Sequence, residues 1–454
     1  MYAAADILLL SSRLDPLPNV AIDALSEGLP VLCFDEATGI ADILREHGLA
    51  DACVAPYLDT DRMAEQLLAI ARSTALRRDL AERATRLAAE TFRMPHYVER
   101  IVILAETQRL RSQQEMADIV TIVDASVLQP DYALQPSISA ANAEEAAWLY
   151  VRSWTSGVYP RKPFPGFHPG IYRERHDLAW SGPDPLAEYL RQDRPEGPWL
   201  LPLITPSMSA GPVRGQRIAL QIHAFYPDLV APILDALGQN QTPMDLLVSV
   251  VHEKDRKLLA PLFQNYRGGR VEIRVVPNCG RDLAPFCTAF SDTILRNYDL
   301  VGHIHTKRSP GISAEVTRQW THFLLTNLLG GATPMADCIL GAMATDNRLG
   351  MVFPDDPNIV SWGENRPHAE ALALRLGIVD PLPKNIVFPV GSMFWARVAA
   401  LEPLLGLGLT WNDYPAEPVP YDGTMLHALE RLLPMVATKT GYTLALSHTP
   451  GISR

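Results

Sequence analysis

The stretch YDLVGHIHTKRS, residues 298–309, decides the fold of the larger part of the chain. Its apolar run, Asp299–His305, predicts a buried strand. The polar residues after this run stand at a carboxyl strand end, which is where an open α/β sheet binds its ligands. Because side chains two apart share one face of a strand, His303 and His305 are expected to point to the same side. The stretch therefore predicts a sheet that has ligand-binding or catalytic residues at the carboxyl ends of its strands.

Strand and helix patterns alternate on both sides of this stretch. From Arg217 to Leu433 the predicted order is βαβαβαβ with a late strand and helix, which is typical of a parallel α/β domain. Residues 1–113 alternate in the same way but supply about three strands, fewer than the roughly five or six of a doubly wound domain. The passage 129–215 is rich in Pro, Gly, Trp and Tyr, and Ile119–Val123 before it predicts one more strand.

We therefore predict an α/β protein in three parts. Residues 1–115 form a partial Rossmann-like half-domain, residues 116–214 a linker with an accessory segment, and residues 215–454 the main α/β domain. The alternation of strands and helices is the basis for expecting parallel sheets in the first and third parts.

The composition is that of a globular protein. Of 454 residues, 47% are hydrophobic and 20% are charged, which excludes wholesale disorder. The net charge of −11 disfavours binding to nucleic acid. The five cysteines are scattered without a C-x-x-C pair, so we expect reduced thiols rather than a disulfide framework or a zinc ribbon. Since the first residues lack a signal-peptide pattern and no apolar run approaches roughly 18 residues, we expect a cytoplasmic protein.

Reactive side chains cluster at the predicted strand ends of the third part. His223 follows one strand, Asn278–Asp282 lies between a strand and a helix, and His305–Lys307 ends another strand. Because the carboxyl ends of parallel strands meet at one edge of the sheet, these residues are expected to converge. The two cations of these segments, Arg281 and Lys307, then suit a diphosphate.

The last predicted helix, Gly423–Leu433, adds a polar face with Asp422 at its cap. An acid in this position can take a proton from an acceptor hydroxyl, and general-base help is worth roughly 10²–10⁴-fold. Asp422 is the first candidate for this role and Asp282 the second. The candidate catalytic residues are Asp422, Asp282 and His305, and the candidate substrate-binding residues of this part are His223, Asn278, Arg281, Lys307, Arg397, His427 and Glu430.

Each candidate also has a purely structural interpretation. His223 can be a buried histidine with satisfied hydrogen bonds, and Asn278–Asp282 can be a turn that caps a helix. Lys307 can be a solvated loop charge, and His427 and Glu430 can be an i, i+3 pair on an exposed helix face.

A second candidate site lies near the start of the chain, in residues 13–31, RLDPLPNVAIDALSEGLPV. Asp15 falls in a loop after a strand and Asp23 in the first turn of the next helix. The backbone N–H groups at Asn19–Ala21 open that helix and suit a diphosphate. The structural interpretation is that Asn19 caps the helix and Asp23 is a solvated first-turn acid. Asp15, Asn19 and Asp23 are the candidate substrate-binding residues here.

This segment resembles the donor-binding region of family 4 retaining glycosyltransferases of the GT-B fold, whose pattern is E-P-x-x-N-V-x-x-E-A-x-x-x-G-x-P-V. The resemblance covers about residues 1–110, and both glutamates of the pattern are aspartates here, Asp15 and Asp23. It implies a truncated C-terminal region of a GT-B enzyme. The other Rossmann domain and the upstream basic residues are missing, so we expect a remnant or the tail of a longer gene product.

The third part closely resembles the rhamnan synthesis protein F family of polysaccharide-assembly glycosyltransferases, over about residues 160–450. One departure is Cys279, where the family usually has arginine. The matching phrases are HAFYPDL at 223–229, NCGRDLAPF at 278–286, YDLVGHIHTKRS at 298–309, GSMFWAR at 391–397 and DGTMLHALERLLP at 422–434.

The family resemblance implies a glycosyltransferase that moves rhamnose or another hexose from a nucleotide sugar to a growing cell-surface polysaccharide or O-antigen. The implied partners are the nucleotide sugar, a lipid-linked glycan acceptor and other polysaccharide-assembly enzymes. With a lipid-linked acceptor, weak association with the inner face of the cell membrane is expected.

The element order also resembles the GT-A glycosyltransferases, in which a strand ends in Asp-x-Asp and holds a divalent metal on the donor diphosphate. Here the strand ends in His305-Thr306-Lys307, so we expect Lys307 to neutralise the diphosphate without a metal or other cofactor. One alternative is a non-catalytic binding or scaffold protein. Another is a metal-dependent hydrolase whose ligands are His223, His303, His305 and Asp282.

Overall fold

A computed structural model describes residues 2–208, 211–308 and 313–454 of the chain. It divides into two compact units, residues 1–112 and 113–454. The boundary falls within one long helix, Met94–Ala125.

The first unit is built on a parallel three-stranded sheet of order β1-β2-β3. Its buried cluster lies between this sheet and the flanking helices. Three strands alternating with helices are what the sequence predicts. The strands are β1 (Leu8–Leu10), β2 (Val31–Phe34) and β3 (Val54–Ala55), and the helices are α1 (Asn19–Ser26), α2 (Gly39–Glu46), α3 (Ala50–Cys53), α4 (Thr60–Arg72), α5 (Thr74–Thr91) and the first part of α6 (Met94–Ala125).

Residues 113–214 belong to the second unit and carry an aromatic core of their own. Ile119 and Ile122 pack into this core from the end of α6, so the strand predicted at Ile119–Val123 is wrong. A spacing of three residues is helical, and the five-residue apolar window concealed it. The remaining elements of this segment are α7 (Pro130–Ala133), α8 (Ala143–Ser156), α9 (Pro169–Arg175), α10 (Pro185–Arg191) and β4 (Leu203–Ile204).

The rest of the second unit is an eight-stranded sheet of order β4-β11-β9-β10-β8-β5-β6-β7 with helices on both faces. The further strands are β5 (Ile218–His223), β6 (Asp245–Val250), β7 (Val271–Val275), β8 (Leu300–His305), β9 (Leu349–Pro354), β10 (Phe394–Arg397) and β11 (Thr443–Ser447). The further helices are α11 (Val230–Leu237), α12 (Glu253–Phe263), α13 (Ser291–Asn297), α14 (Ala314–Leu328), α15 (Met335–Thr345), α16 (Arg366–Arg375), α17 (Glu402–Leu405) and α18 (Met425–Lys439).

Two helices differ from the predicted ones. The helix expected over 284–295 is a π-helical turn, Pro285–Ala289, followed by α13. The last helix starts after Gly423 and runs on to Lys439, through a proline at position 434.

One antiparallel strand arranges the edge of this sheet. All pairings are parallel except those of β10, which runs against both β8 and β9. Its first residue, Phe394, pairs with His303, and its last, Arg397, pairs with Leu300. The turn before β10 therefore lies at the carboxyl edge of the sheet, beside His305, and Arg397 lies at the opposite edge.

A buried ion pair fastens residues 113–214 to this edge. Lys162 Nζ lies 2.6 Å from Asp355 Oδ1, and Asp355 Oδ2 accepts the Gly166 N–H at 2.7 Å. The two charged side chains are only 5% and 0% exposed. Because Asp355 directly follows β9, the pair ties the aromatic segment to the sheet.

The substitution Lys162→Met is expected to destabilise the second unit by about 3–5 kcal/mol, because it leaves a buried carboxylate without its counter-ion. Urea unfolding followed by tryptophan fluorescence measures this, since all eight tryptophans lie in the second unit. The control is Arg256→Met, which breaks an exposed pair with Glu253 and should change stability far less. Equal effects of the two substitutions would contradict the role of the buried pair.

Candidate functional site

The candidate site lies at the carboxyl edge of the central strands β5 and β8. Their parallel register sets His223 directly opposite His305. His303 lies two residues before His305 on the same face of β8, as the strand period predicts. The loop after β7 brings Asp282 to these histidines.

Asp282 is the centre of a histidine cluster. Its Oδ2 lies 3.3 Å from His303 Nε2 and 3.9 Å from His305 Nε2. Burial raises the pKa of Asp282, yet His305 and His303, together with His223, outweigh this and hold the pKa well below its usual range. The carboxylate is therefore charged, and its surroundings stabilise that charge.

The loop that carries Asp282 has an unusual backbone. Gly280 and Arg281 both have positive φ angles, 67° and 51°. A Cβ atom on Gly280 would come within 2.4 Å of the Ala284 Cβ and 2.8 Å of the Tyr414 ring. Backbone strain of this kind clusters at functional sites. Here it lies where two consecutive residues, Arg281 and Asp282, direct their side chains to different partners.

The start of the last helix holds the Arg281 guanidinium. Arg281 donates to the carbonyl oxygens of Val419 and Pro420 at 3.0 and 3.1 Å, and its Nη1 lies 3.2 Å from His427 Nε2. His427 Nδ1 lies 2.8 Å from Thr424 Oγ1, so His427 is positioned to accept from Arg281 and donate to Thr424. Burial and the Arg281 charge lower the pKa of His427.

Glu430 holds the turn before β10. Its Oε1 accepts the backbone N–H groups of Gly391 and Ser392 at 2.7 and 3.0 Å. The Gly391 carbonyl oxygen in turn lies 2.9 Å from His305 Nε2. Burial raises the pKa of Glu430, while Arg431 and the bound N–H groups oppose the rise. Glu430 therefore acts on the site through His305, as a positioning residue.

Lys307 lies two residues after the end of β8. Its Nζ lies 4.0 Å from the centre of the Trp320 ring, and the Arg454 guanidinium lies 4.1 Å from the same ring. Burial lowers the pKa of Lys307, and the charges of Asp282, Glu430, Arg454 and Arg281 also act on this pKa. Among the described residues, neither Lys307 nor Arg281 has a carboxylate within 4.0 Å.

Asp422 is near this group, but its carboxylate is held by a distant segment of the chain, residues 364 and 365. Its Oδ1 accepts from the Asn365 side-chain amide at 2.5 Å, and its Oδ2 accepts the Glu364 N–H at 3.3 Å. These bonds lower the pKa of Asp422 against the rise caused by burial. The carboxylate thus braces the turn before α18, which the sequence does not reveal, because Asn365 lies 57 residues away.

Two other predicted residues, Arg397 and Asn278, differ in where the structure places them. Arg397 lies at the opposite edge of the sheet and donates to the Met343 carbonyl oxygen at 2.6 Å, so its assignment to the site is wrong. The reversed direction of β10 is the reason. Asn278 lies exposed at the start of the loop, with Arg281 and Asp282 further along.

The first unit carries its own candidates, which are described within that unit. Asp15 follows β1 and donates its backbone N–H to the Ala37 carbonyl oxygen at 2.9 Å. Pro18, not Asn19, is the N-cap residue of α1, and Asp23 lies beyond the first turn. The side chains of Asn19 and Asp23 are exposed.

Two residues that the sequence analysis missed stand behind the histidines. Gln221 and Ser249 are fully buried polar residues in the otherwise apolar strands β5 and β6. A polar side chain in a strand buried on both faces is the signal that marks them.

The fold and this edge define an α/β protein of the kind that binds charged ligands at its carboxyl strand ends. The chain belongs to the rhamnan synthesis protein F family, which matches residues 186–442. Residues 1–87 match the family described as glycosyl transferases group 1. Both resemblances expected from the sequence are thus confirmed.

Parts of the chain are similar to two kinds of known protein. The uncharacterized protein WxcX of Xanthomonas campestris pv. campestris strain B100 is 32% identical over 239 residues, 50% of this chain and 33% of that protein. WxcX of a second strain gives the same figures. The amylovoran biosynthesis glycosyltransferase AmsD of Erwinia amylovora is 30% identical over 89 residues, 20% of this chain and 24% of AmsD. The chain thus covers a third of the WxcX proteins.

The loop geometry leads to a test. Gly280→Ala is expected to cost about 1–3 kcal/mol of stability, because alanine must adopt a positive φ against two packed neighbours. The same urea measurement applies. Gly341→Ala, in α15 with open space around its Cβ position, is the matched control and should be neutral or slightly stabilising. A neutral Gly280→Ala would show that the loop is not constrained.

Proposed function

We propose that the second unit transfers a sugar from a nucleotide sugar to a growing glycan. The observation that carries the proposal is the pair of cations, Arg281 and Lys307, at the carboxyl edge, for which the described part of the chain provides no carboxylate within 4.0 Å. Such groups, next to an ionised Asp282, suit a ligand that has both a diphosphate and hydroxyl groups. The family membership and the group 1 region support sugar transfer as the reaction.

The diphosphate is assigned to Arg281 and Lys307. Arg281 is exposed but already oriented by His427 and two carbonyl oxygens, so little side-chain entropy is lost when it binds. Lys307 is held over the Trp320 ring and partly removed from water, which strengthens its attraction to an anion. Asp282 is left to accept a hydrogen bond from a sugar or ribose hydroxyl.

The donor sugar, the acceptor and the partner proteins are proposed from the family resemblance. The donor sugar is proposed to be rhamnose or another hexose, and the acceptor a lipid-linked glycan of a cell-surface polysaccharide or O-antigen. Other polysaccharide-assembly enzymes are proposed as partners at the inner face of the membrane. None of the helices in the described ranges is both long and apolar enough to cross a bilayer.

We propose that the transfer needs no divalent metal. In this proposal Lys307 supplies the positive charge that a metal ion would otherwise place on the diphosphate. Within residues 2–208, 211–308 and 313–454, no three His, Cys, Asp or Glu side chains are arranged as ligands of one ion. The ring nitrogens of His303 and His305 lie instead against Gln221, Asp282 and carbonyl oxygens, which disfavours the hydrolase alternative.

The diphosphate assignment predicts the effect of removing each cation. Lys307→Met and Arg281→Gln should each weaken binding of the donor's nucleoside diphosphate about tenfold to a hundredfold, because each removes a charge-assisted contact. Titration calorimetry measures the Kd. The control is Arg296→Gln, an exposed arginine in α13 at the opposite edge of the sheet, which should bind as the unchanged protein does. Unaltered affinity in both site variants would overturn the assignment.

Metal dependence is tested on the unchanged protein. A panel of nucleotide sugars is incubated with it, and release of free nucleoside diphosphate in the presence of a glycan acceptor identifies the donor. EDTA should leave the rate with that donor unaltered. If EDTA abolishes transfer and Mn²⁺ restores it, a metal and not Lys307 neutralises the diphosphate. Nucleotide binding without transfer would favour the binding-protein alternative.

A further inference from the structure

The hydrogen bonds of the three site histidines single out one ring nitrogen. His303 places Nδ1 against Gln221 Oε1 at 2.6 Å and Nε2 against Asp282. His305 places both ring nitrogens against carbonyl oxygens. His223 Nδ1 lies 3.0 Å from Ser249 Oγ. Among the described residues His223 Nε2 has no partner, and it is not among the buried unpaired atoms, so it reaches solvent.

A buried chain of hydrogen bonds connects the other ring nitrogen of His223, Nδ1, to Asp282. It runs from His223 to Ser249, then through Gln221 to His303 and the carboxylate. The Gln221 amide lies 3.1 Å from Ser249 Oγ and 2.6 Å from His303 Nδ1. A half-turn of the amide exchanges its donor and acceptor at the same positions, so the chain has two hydrogen-bonding states.

The two states differ in whether His303 carries a proton on both ring nitrogens or on Nε2 alone. If Gln221 accepts from His303 Nδ1, then His303 must also donate from Nε2 to Asp282 and carry a positive charge. If Gln221 donates to Nδ1, a neutral His303 donates to an ionised Asp282, and every group in the chain is satisfied. Burial lowers the pKa of His303, and its bond to Asp282 opposes this only in part, which favours the neutral state.

The neutral state also fixes the tautomer of His223. Gln221 then presents its oxygen to Ser249, the serine hydroxyl donates to it, and the serine oxygen accepts from His223 Nδ1–H. His223 Nε2 is left with a free lone pair on the nitrogen that reaches solvent. Burial lowers the pKa of His223 to about 4, so the imidazole is unprotonated at neutral pH.

We propose that His223 Nε2 is the general base that removes the proton from the acceptor hydroxyl. This inference rests on the proposed sugar transfer. In a direct displacement the acceptor O–H bond breaks and an N–H bond forms on His223. The acceptor oxygen bonds to the anomeric carbon, and the bond from that carbon to the donor phosphate breaks. Its electron pair leaves with the nucleoside diphosphate, whose charge Arg281 and Lys307 hold.

The other candidates suit this role less well. Asp282 accepts from His303 through Oδ2 and is already assigned to a hydroxyl of the donor, and the carboxylate of Asp422 accepts from Asn365 and the Glu364 N–H. His305 is held by the turn carbonyl and by its own loop. In this account Ser249 and Gln221 are positioning residues, because they set the tautomer of His223 without touching substrate.

The test compares two substitutions of His223. His223→Asn keeps a polar atom near the Nδ1 position, for Ser249, and removes Nε2. We expect kcat for the donor found in the panel to fall about 10²–10⁴-fold, because a general base is lost. The Kd of its nucleoside diphosphate should stay within about threefold, since Arg281 and Lys307 are intact. His223→Gln, which lacks the imidazole but differs in length, should show the same split.

The result that overturns the inference is a kcat within tenfold of the unchanged protein in a His223 variant that still binds the nucleoside diphosphate. Loss of nucleotide binding in both variants would also overturn it, because His223 would then be part of the donor site. A failure of the proposed function looks different, since the unchanged protein would release no nucleoside diphosphate from any sugar in the panel. Ser249→Ala should lower kcat less than His223→Asn and leave the Kd unaltered.

Discussion

The site depends on one largely buried charge, the carboxylate of Asp282, whose side chain is 14% exposed. A lone carboxylate at this depth would be costly to ionise, and imidazole N–H groups from the end of β8 compensate it. These interactions orient the rings of His303 and His305. Hydrogen bonds through Gln221 and Ser249 extend from His303 to His223. A negative charge that is already satisfied leaves Arg281 and Lys307 available for an anion from outside.

The neighbouring elements hold this arrangement in place. Glu430 of α18 binds the turn before β10, and the Gly391 carbonyl oxygen of that turn lies against His305. The position of α18 therefore helps to fix the His305 ring. His427 and the carbonyl oxygens before α18 do the same for Arg281. His305 lies on β8, and Glu430 and His427 lie on α18, so regular elements fix the groups that hold the loops of the site, which gives the precise placement that a transfer reaction requires.

The sequence predicts which strand ends come together, but not the direction of β10 or the contacts between distant loops. The pattern of β8 and the rule that ligands bind at carboxyl strand ends suffice to bring His223, Asp282 and Lys307 together. Arg397 was misplaced because an apolar run does not show its direction, and β10 runs backwards. The Asp422 bond to Asn365 joins residues far apart in the chain. The strand expected at Ile119–Val123 is part of α6, and the five-residue apolar window concealed the helical spacing of Ile119 and Ile122, which pack into the aromatic core.

The most direct test of the account is a crystal structure of the protein with the nucleoside diphosphate of its donor. The account predicts diphosphate oxygens within hydrogen-bond distance of Arg281 and Lys307, with open space beside His223 Nε2 for an acceptor hydroxyl. A diphosphate bound elsewhere, for example at the start of α1 near Asn19, with the carboxyl edge of the second unit empty, would contradict it.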